Sequence, residues 1–417
     1  TRLKPDDWID CIRRSGCRLL FIDAKRTAFA RSSGCDLVIL DGDESFEASE
    51  TTIGEDSSFS REVLLDQEAS VMFTSGSGGT PKGVILTFGN HYYNALASNE
   101  NTRLRRDDCW LAVLPFYHVG GMSILFRAAI AGCSVYVMNG FDTDRINRLI
   151  DEGTITHISL VPTMLGSLLA VREMRRPPAT LRTILLGGGP MSGSMLDDIE
   201  KLSLPVLTTY GMTETASQVC ALSSTDPVDK MRSSGRPLGN VEIKIVDAGG
   251  EQACVNRDRE IVVRGKTVFK GYLGEDTEAT FDPDGWFRTG DIGCFDEDGY
   301  LHVKGRLDSM FISGGENICP SDIEKAASEF PGVSECVVIA VDDASWGKRP
   351  VLFVAKIGES DLGTPELRSF LETRLSRIQL PERIIEIDQF PRKSIGKIDR
   401  ERLKEMLLKD IDSQGDS

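Results

Sequence analysis

The sequence predicts an α/β protein: a large domain with mainly parallel sheets flanked by helices plus an antiparallel β subdomain, followed by a small α+β C-terminal domain. Three observations predict it. With 417 residues and 40% hydrophobic content, the chain can bury more than one core. From Ser70 to about Thr215, short β-branched runs alternate with longer amphipathic segments, the texture of a parallel sheet with helices on its faces. From Gly235, and again past Arg306, that texture changes.

In the first part the runs VMFT, CWLAVLP, SVYVM, HISLV, RTILLGG and PVLTTYG read as strands. Between them, Met122 to Ala131, Thr143 to Asp151, Thr163 to Val171 and Ser194 to Leu202 read as helices. In the second part VEIKIVD, the turn Ala248-Gly249-Gly250, REIVVRG and the DEDG turn before YLHVKG read as hairpins, hence antiparallel β structure. The third part reads as a helix after Pro320, strands CVVIAV and VLFVAK, a helix from Thr364 and a strand RIIEID. At about 110 residues it has the size of a small domain. These textures set a large domain at 1–307, its β-rich part at about 235–307, and a small domain at 308–417, with the boundary at Asp308. The tail from Asp410 is short and polar and reads as disordered.

Composition excludes several functions. The 48 Lys+Arg against 64 Asp+Glu leave a formal net charge of -16, which repels nucleic acid and anionic membrane surfaces. The ten cysteines include no C-x-x-C pair, and four histidines are too few to complete a zinc site with them, so a reduced, cytosolic protein is expected. The longest apolar stretch, Ile158 to Val171, is broken by polar residues and falls short of the roughly 18–20 residues needed to span a bilayer.

Residues Val71 to Val84 read VMFTSGSGGTPKGV. A Walker loop needs Gly directly before its Lys, Ser or Thr directly after it, and a helix beyond. Here Pro81 precedes Lys82, Gly83 follows it, and Val84-Ile85-Leu86 looks like a strand, so that class is excluded. The loop still gathers the glycines, hydroxyls and ammonium that bind pyrophosphate. On its own it reads equally as a flexible hairpin turn. Thr209-Tyr210-Gly211-Met212-Thr213-Glu214-Thr215 breaks that tie, because it puts an aromatic, a hydroxyl and a carboxylate at the carboxyl end of a buried-looking strand, where open α/β sheets bind ligands.

Four more motifs follow in order: Trp286 to Asp291, Lys304 to Asp308, Ser313 to Asn317, and Pro391-Arg392-Lys393-Ser394-Ile395-Gly396-Lys397. Together, from about Ser70 to about Arg402, the six motifs resemble in content and order the adenylate-forming superfamily of acyl-CoA ligases, firefly luciferases and peptide-synthetase adenylation domains. The first residues, TRLKPDDWIDCIRRSGCRLLFID, resemble a segment that lies well inside family chains, so the earliest elements of the large domain are expected to be missing. The resemblance implies that ATP activates a carboxylic acid as an acyl-adenylate, releasing pyrophosphate, and that the acyl group then passes to CoA, with Mg²⁺ as cofactor.

The resemblance also assigns roles. Thr74, Ser75, Gly76, Ser77, Gly78, Gly79, Thr80 and Lys82 would hold the β- and γ-phosphates; Thr213 would donate to the α-phosphate and Glu214 would hold Mg²⁺. Tyr210, with the backbone of Gly188, Gly189 and Pro190, would form the adenine pocket, and Gly211 and Met212 would belong to the same nucleotide site; Asp291 would grip the ribose, with Arg306 beside it. Lys397 would bridge the reacting carboxylate and α-phosphate until the small domain turns about Asp308, bringing Gly314, Gly315 and Glu316 to the site for CoA. Many family members carry Thr-Gly where this chain has Gly78-Gly79, which removes one hydroxyl donor and implies weaker ATP binding.

LPFYHVGG resembles the family's acyl-pocket entrance, with His118 near the substrate carboxylate. Ser217 and Gln218 would then donate to polar groups of an aromatic acid; read from the residues alone, they begin the next helix. Another aryl- or medium-chain acyl-CoA ligase, a standalone carrier-protein-loading adenylation enzyme and a nucleotide-binding protein without turnover remain as alternatives. The expected partners are a small carboxylic acid, ATP and CoA, with no nucleic acid and no membrane span. A homo-oligomer is compatible with all of these.

Overall fold

The computed structural model describes residues 5–23, 34–40, 62–75, 81–173, 175–189, 191, 193–276, 280–343, 345–356, 363–392 and 398–414. Helix α1 (Pro5–Ser15) precedes a parallel pair, β1 (Leu19–Asp23) and β2 (Asp36–Leu40). Next, β3 (Glu68–Ser75) and β4 (Pro81–Thr87) pair antiparallel. The run VMFT, read above among the strands of the parallel sheet, therefore belongs to a hairpin. A connection as short as 76–80 permits only that, since parallel neighbours need a crossover of about a dozen residues or more. Helix α2 (Phe88–Thr102) starts at Thr87, whose hydroxyl accepts from Asn90 N at 3.1 Å while Asn90 Oδ1 accepts from Thr87 N at 2.8 Å.

The alternating part follows: β5 (Cys109–Ala112), α3 (Val119–Ala131), β6 (Ser134–Val137), α4 (Thr143–Asp151), β7 (His157–Leu160), α5 (Pro162–Arg172), β8 (Thr183–Leu186), α6 (Gly193–Leu202) and β9 (Val206–Met212). These strands pair in parallel in the order β9-β8-β7-β5-β6, and β10 (Ser217–Ala221) and β11 (Arg236–Pro237) extend the sheet antiparallel beyond β9. β7 and β8 are buried along their whole length. Ile146 and Ile150 of α4, Leu165 of α5 and Ile199 of α6 share their core, which is why these strands read as unbroken apolar runs.

β12 (Val241–Val246), β13 (Arg259–Gly265), β15 (Phe287–Phe295) and β16 (Leu301–Arg306) form the antiparallel sheet the turns implied. The short β14 (Gly271–Tyr272) leaves that sheet to pair with β4. A 3-10 turn, Leu307–Ser309, leads on to β17 (Phe311–Ser313), β18 (Glu316–Ile318), α7 (Pro320–Ser328), β19 (Val333–Asp343), β20 (Gly347–Lys356), α8 (Thr364–Glu372), β21 (Arg383–Glu386) and α9 (Arg400–Gln414). The tail read as disordered from Asp410 is helical to Gln414. Leu403 and Leu407 bury against Val337 and Ile339 of β19, and tertiary packing of this kind carries a helix through polar sequence. Among the described residues no helix is long and apolar enough to cross a membrane.

Candidate active site

The site grows from the end of β9, where Tyr210, Gly211 and Met212 run into a 3-10 turn, Thr213–Thr215, and the chain doubles back as β10. The return is tight: a Cβ on Gly211 would fall 1.7 Å from the Ser217 carbonyl oxygen, so only glycine fits. Ala216 and Ser217 take φ of 56° and 129°, a left-handed backbone that side chains disfavour. Neighbours hold it there. Thr215 Oγ1 accepts from Met212 N at 3.1 Å and donates to Ser217 O at 2.9 Å. Asn94 Nδ2 donates to Thr215 O at 3.2 Å and Gln218 O at 2.8 Å.

Tyr210 reaches the antiparallel sheet. Its hydroxyl donates to Asp291 Oδ2 at 2.6 Å, while Arg306 Nη1 lies 3.3 Å from Asp291 Oδ1 and donates to Thr289 O at 2.8 Å. The register Asp291↔Arg306 across β15 and β16 sets these two opposite each other. Burial, and then the Asp291 charge, push the Tyr210 hydroxyl pKa well up, so it remains a donor at neutral pH. Arg306 also reaches both oxygens of Asp308, at 3.4 Å. On the other side, the register Leu186↔Thr208 sets the end of β8, which runs on to Gly187, Gly188 and Gly189, beside β9, and a Cβ on Gly187 would fall 2.9 Å from Thr209 Cγ2. Pro190 lies outside the described residues.

Thr74 and Lys82 face each other across the neck of the β3–β4 hairpin, and the Ser75 backbone pairs with Pro81. Gly76, Ser77, Gly78, Gly79 and Thr80 lie outside the described residues, so the glycine substitution in that loop has no structural account. Lys82 Nζ pairs with Glu275 Oε2 at 3.1 Å and sits 4.6 Å from the Tyr272 ring centre; the Tyr272 hydroxyl donates to Glu214 Oε1 at 2.9 Å. Among the described residues no three His, Cys, Asp or Glu side chains gather into a protein-only metal cage. Glu214, linked through Tyr272 to Lys82, has the chemistry of a Mg²⁺ ligand, since that ion takes one or two carboxylates and completes its shell with phosphate and water oxygens.

His118 is the N-cap residue of α3, its ring 4.5 Å from that of Tyr117. The first turn of α3, Val119 and Met122, packs into the cluster that holds Tyr210 and Met212. Ser217 and Gln218 do not begin a helix: the reversal at Gly211 turns them into β10, paired with β9. Gln218 is buried, and neither its Oε1 nor its Nε2 has a partner among the described residues. Ser217 Oγ accepts from Arg127 Nη2 at 3.1 Å.

Sequence reasoning passed over Arg127. It is 1% exposed, 5.4 Å from the Trp110 ring centre, and no carboxylate among the described residues pairs with it. Burial lowers its pKa to about 9, which still leaves it charged at neutral pH. The signal was available, since Arg127 is the sole charged residue of the apolar helix VGGMSILFRAAIA.

Gly314 and Gly315 form the two-residue turn between β17 and β18, with φ of 57° and 87°, as a hairpin of that length requires. Gly314 N donates to Trp346 O at 2.9 Å. The structure thus joins Tyr210, Asp291, Arg306 and Asp308 in one network and Lys82, Tyr272 and Glu214 in another, while the Gly314-Gly315-Glu316 turn pairs within the C-terminal sheet. Lys397 lies outside the described residues. Its flanks are held: Arg392 and Ile398 form a β-bridge, and Arg400 donates to Val338 O at 2.9 Å and Glu324 Oε1 at 2.8 Å.

Comparison with known proteins adds three findings. Residues 1–273 match the family model described as AMP-binding enzyme, and residues 322–397 match the AMP-binding enzyme C-terminal domain. A 2-succinylbenzoate–CoA ligase of Listeria monocytogenes serotype 4b (strain F2365) is 42% identical over 82% of this chain and 70% of its own length. Among solved structures, o-succinylbenzoate CoA synthetase (MenE) of Bacillus subtilis with its acyl-adenylate intermediate OSB-AMP is similar at a TM-score of 0.83 and 34% identity, over 96% of this chain and 81% of that one. The same synthetase with ATP and magnesium ion is similar at the same TM-score and identity, over 96% of this chain and 82% of that one.

Proposed function

Because the chain belongs to the AMP-binding enzyme family, we infer that it is an AMP-forming acid–thiol ligase that converts 2-succinylbenzoate, ATP and CoA to 2-succinylbenzoyl-CoA, AMP and pyrophosphate. Relatives of that name at about 40% identity support the reading. In this structure the observation that carries it is Arg127. 2-Succinylbenzoate has two carboxylates: one is activated, and the other needs a cation that no protein carboxylate has already neutralised. A buried guanidinium with the Ser217 hydroxyl beside it supplies that cation and a further polar group. A fatty acid has nothing to offer these groups, which disfavours the medium-chain alternative.

In the first step a carboxylate oxygen attacks the α-phosphorus of ATP, the acyl–O–P bond forms, and the bond to the β-phosphate breaks with release of pyrophosphate. Lys82 offsets charge on the departing phosphates, Thr213 donates to the α-phosphate, and Asp291, fixed between Tyr210 and Arg306, accepts from the ribose hydroxyls. Glu214 would hold Mg²⁺, which supplies positive charge to the phosphate oxygens. Lys397 belongs to this step by its motif. In the second step the CoA sulfur, its proton lost to solvent, attacks the acyl carbonyl and AMP leaves. Rotation of residues 308–417 about Asp308 exchanges Lys397 for the Gly314-Gly315-Glu316 turn. A cytoplasmic location belongs to the same reading, supported by ten cysteines that form no disulfide among the described residues.

The test is pyrophosphate release with ATP, Mg²⁺ and a panel of acids (2-succinylbenzoate, substituted benzoates and C6 to C12 fatty acids), with and without CoA. Release with 2-succinylbenzoate far above the others is expected. Release with fatty acids alone would overturn the substrate, and no release with any acid would favour a nucleotide-binding protein without turnover.

A further inference from the structure

Tyr272 touches both Glu214 and Lys82. Its hydroxyl donates to Glu214 Oε1 at 2.9 Å, and the Lys82 ammonium lies 4.6 Å from its ring centre. The backbone leaves this side chain little choice. β14 consists of Gly271 and Tyr272 alone, Tyr272 pairs with Val84 of β4, and Leu273 N donates to Gly83 O at 2.7 Å. A Cβ on Gly83 would meet Leu273 Cβ at 3.1 Å, so the approach of β14 to β4 depends on that glycine. Phe269 N donates to the Glu214 carbonyl at 2.8 Å, and the Tyr272 ring packs edge-on against Phe269 at 4.8 Å. Glu275 Oε2 lies 3.1 Å from Lys82 Nζ.

We propose that Tyr272 is the positioning residue of the nucleotide site: its hydroxyl fixes the rotation of the Glu214 carboxylate, and its ring seats the Lys82 ammonium, so that both are set before ATP enters. A carboxylate has about four lone-pair directions, and one occupied by a phenol leaves the second oxygen presented in a single orientation. The negative face of the ring holds a cation without neutralising it, so Lys82 keeps its charge for phosphate. The proposal rests on the reading of Glu214 and Lys82 as magnesium and phosphate ligands.

The test uses the full chain with Tyr272→Phe, Tyr272→Leu and Glu214→Gln, measured by calorimetry. For Tyr272→Phe the Mg²⁺ concentration that half-saturates ATP binding should rise about tenfold, the worth of one hydrogen bond to a charged group. AMP affinity and melting temperature should stay near wild type. Pyrophosphate binding in EDTA reports Lys82 without the metal: it should be unchanged in Tyr272→Phe and weakened about threefold in Tyr272→Leu, as for a partly exposed cation–π contact. If Glu214→Gln shifts the Mg²⁺ dependence and Tyr272→Phe does not, this proposal fails alone. If neither shifts it, the assignment of Glu214 falls as well. A parallel loss of AMP affinity and melting temperature in Tyr272→Phe would mean a packing role only and would overturn the proposal.

Discussion

Arg127 and two histidines show what burial does to a single charge. Arg127→Met should raise KM for 2-succinylbenzoate on the order of a hundredfold, since it removes a charge-assisted contact inside the protein. It should leave KM for 3-benzoylpropionate, the same skeleton without the ring carboxylate, nearly unchanged. Pyrophosphate-release kinetics on the two acids check this, and equal losses would remove Arg127 from the acid pocket. His91, stacked on Phe126 with its Nε2 2.9 Å from Ser70 Oγ, and His157, 2.8 Å from Thr156 Oγ1, both have pKa values lowered by burial from 6.5 to about 4. A lowered folded-state value means the stabilising neutral form is fully populated above pH 6.5, and its contribution is lost as pH falls toward 4. Each histidine is worth about 3 kcal/mol on this scale. Urea midpoints should therefore drop between pH 6.5 and 4.5. A His91→Gln/His157→Gln double variant should lose most of that slope, and an unchanged slope would refute the assignment.

At the level of elements, Asn90 does the work of several residues. Its side chain closes the capping box of α2 and donates to Lys266 O at 3.0 Å and Val268 O at 2.8 Å, tying the helix to the segment that feeds β14. Asn90→Ala should cost about 2–3 kcal/mol, a cap plus buried carbonyls left unpaired, read as a lower urea midpoint at unchanged m-value. Much of this architecture is legible in the residues. Thr143–Asp151 emerges as a helix at the very residues its pattern marks, and the runs HISLV and RTILLGG become the fully buried β7 and β8. What local pattern does not carry is the identity of a distant partner. VMFT alternates like any half-buried strand, yet pairs with the run across its own loop, and the polar tail is helical because Leu403 and Leu407 find β19. The same limit applied to the site. Lys82, Tyr210, Glu214, Asp291 and Arg306 stood in recognisable motifs, whereas Arg127 and Tyr272 acquire their meaning from Ser217, Trp110 and Glu214, which lie far from them in sequence or across a strand pair.

In the whole molecule, the two half-reactions should be separable by substitution at one residue of the C-terminal part. Lys397→Ala should abolish adenylate formation while leaving thioester formation from supplied acyl-adenylate largely intact; equal loss of both would contradict a mechanism in which residues 308–417 present two faces in turn. Arg127 has a last consequence of another kind. A buried cation with no counter-charge among the described residues makes the ligand-free fold less stable than an apolar side chain of similar volume would, by about 1–4 kcal/mol if buried ion pairs are a guide. If Arg127 receives the ring carboxylate as proposed, binding of the dianion offsets that cost. Arg127→Met should melt a few degrees higher than wild type in the absence of substrate, and the order should reverse at saturating 2-succinylbenzoate. Selectivity in this fold would then be stored as instability, with thermostability and substrate choice opposed at one residue.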